Sequence, residues 1–140
     1  MDNATNKARI ASIAADPYSA AALLQEGARL SRTDPRAAYN LLRPNNKTAI
    51  GDLGPAFFTK YLYFAGGGRA DHRSYILDRN VAASLNRTCG WETLPIDKAW
   101  LASAYERYAL LMDRWVNEHR LSRHDVVERW LFEDGKAIKR

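Results

Sequence analysis

Apolar residues recur at helical steps along most of the chain. Leu101, Ala104, Tyr105, Tyr108, Leu111, Met112, Trp115 and Val116 follow one another at intervals of three and four. That is one face of a long amphipathic helix, predicted to start at Asp97. Val126, Val127, Trp130, Leu131 and Phe132 predict a final helix. Ser122, with Asp125 three residues on, resembles a capping box for its start, and Gly135 is expected to end it. Upstream, Asp16-Pro17 and Asp34-Pro35 each pair a capping side chain with proline at the first helical position. They predict helices to about Arg29 and Leu42, after a short helix over residues 5–14. Arg43-Pro44-Asn45-Asn46-Lys47 reads as a loop, and residues 48–53 as a short turn or helix. Gly54-Pro55 opens a further helix that stops at Gly66-Gly67-Gly68. Residues 69–75 read as a polar loop, and Asp78 as the N-cap of a helix through about Asn86. No stretch alternates like a strand. The fold class is all-α, with residues 1–140 forming one helical domain.

Composition narrows this picture without redirecting it. The 140 residues are long enough for a core. No apolar run approaches the ~20 residues of a bilayer span. Met1 to Lys7 lacks the charged-then-apolar order of a secretory signal, so a cytoplasmic location is expected. The lone Cys89 rules out a disulfide within the chain and any four-cysteine zinc or iron–sulfur site; it is expected in the core. No cofactor is called for. The net charge is +5. Residues 1–70 hold nine Lys or Arg against five Asp or Glu; residues 71–140 hold twelve against eleven. The excess therefore lies on the half that contains Gly54, compatible with a polyanionic partner.

Two features carry chemistry. A helix N-terminus offers unpaired N–H groups and partial positive charge, which suit phosphate. Glycine there lets another backbone come close. Leu53-Gly54-Pro55 is thus a candidate DNA-backbone contact, with Lys47 and Lys60 adding charge, although Gly-Pro also serves simply to join helices. Asp78 is the second feature. As a cap it would stabilise its helix by about 1 kcal/mol. Held rigid by that role, its carboxylate also suits stabilising a positively charged sugar or activating water. Arg79 beside it is a candidate phosphate contact. Other groups are weaker candidates. Trp91, Trp100, Trp115 and Trp130 suit stacking on a base, but at helical spacing Trp115 and Trp130 are expected in the core. Tyr105 and Tyr108 are expected to pack, and His72 to be a solvated loop residue. His72, His119 and His124 form no metal-ligand spacing.

Together these residues resemble a family. Ile76-Leu77-Asp78-Arg79-Asn80-Val81 resembles the segment around the catalytic aspartate of adenine-mismatch glycosylases. Leu53 to Gly66 is similar to the hairpin and second helix of the helix-hairpin-helix DNA glycosylases. Leu53-Gly54-Pro55-Ala56-Phe57 and Thr59-Lys60-Tyr61-Leu62-Tyr63-Phe64 look like bacterial proteins with an 8-oxoguanine DNA glycosylase fold. Val127-Glu128-Arg129-Trp130-Leu131-Phe132 looks like their ending. The likeness is sharp over about residues 50–85, looser over 100–133, and unrecognised over 1–35.

The resemblance implies base flipping and cleavage of an N-glycosidic bond. Bifunctional members add a lysine nucleophile that forms a Schiff base. Matching Gly54 to the hairpin glycine puts Ala56 where that lysine is expected; Lys60 follows one turn later, on roughly the same face. Either Lys60 reaches the site, or Asp78 works with water alone. The leading expectation is a glycosylase acting on a damaged or modified purine such as 8-oxoguanine. The chain is short beside two-lobed members of the superfamily, so a non-catalytic DNA-binding module is the alternative. A small helical interaction protein with a coincidental hairpin is the third.

Overall fold

The computed structural model describes residues 3–96 and 99–138. Among the described residues seven α-helices follow one another: α1 (Asn3–Ala15), α2 (Pro17–Ser31), α3 (Pro35–Leu42), α4 (Pro55–Phe64), α5 (Arg79–Cys89), α6 (Ala102–Glu118) and α7 (Asp125–Lys136). No strand occurs among the described residues.

The Asp-Pro pairs work as the sequence indicates. Asp16 accepts from the Ser19 N–H at 3.2 Å, Asp34 from the Ala37 N–H at 3.1 Å, and proline fills the first helical position in both cases. A single 3-10 turn, Pro44–Asn46, follows α3. The arm ahead of Gly54 is a turn, closed by the Leu53 N–H on Ile50 O at 3.1 Å. Arg9 and Ser12 of α1 hold that turn through Asp52 O and the Asp52 carboxylate. Ala20, Ile50 and Leu53 form a small apolar cluster beneath it.

The main core lies between α3, α4, α5 and α6. Tyr39 stacks on Tyr105 with centroids 4.8 Å apart and meets the edge of Phe58 at 5.0 Å. Leu62, Leu77, Val81, Leu85, Leu94, Met112 and Leu131 fill the space around them. Tyr105 and Tyr108 pack as expected, fully buried.

Residues 69–75 form a loop as expected, but it and the residues up to Asp78 are largely buried rather than solvated. His72, Ser74, Tyr75 and Leu77 are buried. Extended backbone has no helical bonds of its own, and here side chains supply partners instead. The Tyr105 hydroxyl donates to Tyr75 O and the Tyr108 hydroxyl to Ile76 O, each at 2.8 Å. The Leu77 N–H donates to the Thr59 hydroxyl at 3.1 Å, and Thr59 donates in turn to Pro55 O at 2.7 Å. His72, expected in solvent, bonds Leu62 O at 2.8 Å and rests against Gly66, where a Cβ would meet its ring.

Helix ends bring further corrections. The start expected at Asp97 lies outside the described residues, and α6 begins at Ala102. Ser122 does not cap α7; the N-cap is His124, with no side-chain cap bond. Gly135 does not end α7 either. It is buried within the helix, against Asn80 O at the start of α5. Any side chain there would hold the two helices apart. Cys89 is exposed at the end of α5 rather than in the core. Trp115 is half-buried, but Trp130 is 56% exposed.

Candidate active-site cleft

Asp78 is the N-cap of α5. Its carboxylate accepts from the Val81 N–H at 2.9 Å, and its carbonyl accepts from Ala82 N–H at 2.9 Å. The Thr59 bond to the preceding residue fixes the chain on the other side. Asp78 is thus clamped from both directions and only 7% exposed.

It opens onto a cleft of about 600 Å³ between α4 and α7, within the ~300–1,000 Å³ range of small-molecule sites. Lys60, Tyr63 and Phe64 line it from α4, and Ile76 and Asp78 from the extended crossing. Arg123, Asp125, Val126, Glu128, Arg129 and Phe132 complete the wall. Lys60 and Asp78, far apart in the chain, share this space. Ala56 is exposed and does not line it.

The remaining predicted contacts lie elsewhere. Leu53 and Pro55 are buried, so their side chains face inward. Gly54 N-caps α4 with no side-chain bond, and a Cβ built on it meets nothing within 4 Å. Lys47 is exposed beyond the 3-10 turn, and Arg79 is exposed beside Asp78; neither lines the cleft.

Three acids face the cleft. Asp125 accepts from the Tyr63 hydroxyl at 2.6 Å and pairs with Arg123 at 2.9 Å, which holds its carboxyl below the usual range. Burial and the adjoining Asp125 push the Tyr63 hydroxyl up to about 12. Glu128 is 8% exposed, and burial, with Asp78 and Asp125 nearby, raises it to about 7. Packing of α5 on α7 brings Glu128 and Asp78 together. Ser84 donates to Asp134 at 2.6 Å, Arg87 pairs with the same carboxylate, and Gly135 allows the close approach. A carboxylate held in such a cleft suits positive charge developing on a bound molecule.

Sequence reasoning passed over Glu128. The signal was present: Glu128, Leu131 and Gly135 fall at steps of three and four, on the buried stripe of α7. A charged residue on an apolar stripe is the informative exception.

Among the described residues, no group of three or more His, Cys, Asp or Glu is placed to hold a metal ion, and no helix is long and apolar enough to cross a membrane. No curated protein and no solved structure matches the chain. One family model does match, described as "Putative 8-oxoguanine DNA glycosylase OGG-like protein", over residues 1–132. With nearly its whole length matched, and the all-helical fold fitting, the chain belongs to this OGG-like family.

Proposed function

We propose that this protein is a DNA glycosylase that draws a damaged or modified purine, of the 8-oxoguanine type, out of duplex DNA and hydrolyses its N-glycosidic bond. The observation that carries the reading is the placement of Asp78: buried, held rigid as a helix cap, and open to a cleft it shares with Lys60. Its carboxylate stabilises the oxocarbenium-like sugar as the bond to the base weakens. The backbone at Gly54, with Lys47 and Arg79, grips DNA phosphates and sets the register without reading sequence.

Lys60 is the candidate for a second activity. As an amine it would attack C1′ of the sugar and displace the base, forming a Schiff base that borohydride reduces to a stable adduct. Incubation with duplex carrying 8-oxoguanine opposite cytosine, with borohydride present, separates the possibilities. An adduct lost in Lys60→Ala makes the enzyme bifunctional. Abasic sites without an adduct assign the chemistry to Asp78 and water. Salt-sensitive DNA binding with no base released from any purine lesion would replace the enzyme with a DNA-binding module.

A further inference from the structure

The cleft that Asp78 lines also carries a carboxyl group with no partner among the described residues. Glu128 sits on the inner stripe of α7 with 8% of its surface exposed. Among the described residues, neither a hydrogen-bond donor nor a cation satisfies it, yet it lines the cleft. The charged and titratable groups around it are Asp78 in the same cleft, Asp125 on its own helix, Lys60 and Tyr63 from α4, and Tyr105 and Tyr108 from α6. Arg123 is turned to Asp125. Arg129 lines the cleft from the next position in α7. Ionising Glu128 there would place a negative charge out of water beside two others, so the neutral acid persists to about pH 7. A neutral carboxyl facing a cleft is a proton donor.

On the glycosylase reading above, we propose that Glu128 is the acid that protonates the departing base, and that the substrate is a neutral purine. As the C1′–N9 bond breaks, its electron pair moves onto the purine. The Glu128 proton moves to a ring nitrogen of the base, which leaves neutral, and Glu128 becomes a carboxylate. Asp78 faces the cationic sugar. Water then adds to C1′, and the proton it sheds restores the Glu128 acid. One water is consumed; a free base and an abasic sugar result. A base made cationic by N-alkylation carries its compensating charge already and needs no such donor.

The test is single-turnover base release across pH 5–9 by the wild-type protein and E128Q. The duplexes carry neutral purines (8-oxoguanine, hypoxanthine, mispaired adenine) or cationic 7-methylguanine, and thermal melting confirms folding. E128Q is expected to release neutral purines at least ~100-fold more slowly. The wild-type rate is expected to fall above about pH 7, a limb absent from E128Q. Glu128→Asp, which retains an acid one methylene shorter, is expected to restore that limb at a reduced rate. Release of neutral purines by E128Q at the wild-type rate would overturn the proposal alone. So would equal slowing of 7-methylguanine, which marks a structural role. Release of no base by the wild-type protein would overturn the glycosylase reading and the proposal with it.

Discussion

Asp78 and Glu128 line one cleft, where burial and, after it, the neighbouring Asp78 raise the Glu128 carboxyl to about 7. Removing one charge moves the other group. In Asp78→Asn, Glu128 should titrate at lower pH than in the wild type, though burial, the larger cause, keeps it above the ordinary value. Carboxyl NMR on both proteins checks this; an unchanged midpoint would contradict the pairing. Asparagine also caps helices, so this variant should keep its stability while losing base release, whereas Asp78→Ala should lose about 1 kcal/mol as well.

Glu128 also ties stability to pH. Its acid is raised from 4.5 to about 7 by folding, so between those values the native state holds a proton that the unfolded chain releases. Stability contributed by this group is whole below about pH 4.5 and lost as pH rises through 7. Glutamine has no such penalty. E128Q should match the wild type near pH 4.5 and exceed it at pH 8, by on the order of 2–3 kcal/mol. Denaturant melts at the two pH values measure the difference.

Two glycines should respond oppositely to alanine. At Gly135 the new Cβ would run into the Asn80 carbonyl, at the backbone contact that joins α7 to α5. Gly135→Ala should cost about 3 kcal/mol and disrupt the cleft. At Gly54 the Cβ meets nothing and φ is −76°, so the chain itself does not require glycine there. Gly54→Ala should cost under about 1 kcal/mol of stability. If DNA backbone approaches this helix start, the same change should weaken binding about tenfold, ~1.4 kcal/mol. Melting and DNA titration together decide both.

Thr59→Val replaces a hydroxyl with a methyl of similar size beneath Asp78. The Leu77 N–H, buried and bonded to that hydroxyl, would be left without a partner. The expected loss is about 1–3 kcal/mol, with slower base release because the clamp on Asp78 loosens. Calorimetry and single-turnover rates should fall together; an unchanged melting temperature would refute the clamp.

The fold was legible wherever local chemistry decides it. Asp16, Asp34 and Asp78 cap helices through bonds to residues three positions on, and such short-range signals stand in the sequence itself. The stripe on α6 was equally plain, since its tyrosines recur on the core face. Failures arose where distant segments meet. Gly135 looked like a helix stop because glycine usually ends helices, but its reason is Asn80, 55 positions earlier. His72 looked solvated because its neighbours are polar; its partner is a carbonyl of α4. Trp130 was expected in the core from its helical spacing and proved exposed. Asp78 and Lys60 were nominated from the sequence; Glu128 stood on the apolar stripe of α7 and was passed over, since its place in the cleft comes from α4 and α7 meeting.

The extended stretch ahead of Asp78 also fixes how this molecule breathes. A segment without helix or strand normally exchanges its amide hydrogens quickly, by small local openings. Here the carbonyls of Tyr75 and Ile76 are held by α6 hydroxyls, and the Leu77 amide by α4. Freeing that amide means parting both helices from the core. Its exchange should therefore track complete unfolding, with the same free energy as the most protected amides of α6. Motion that admits a large guest to the cleft must then come from the α7 side, leaving Asp78 as the stationary reference.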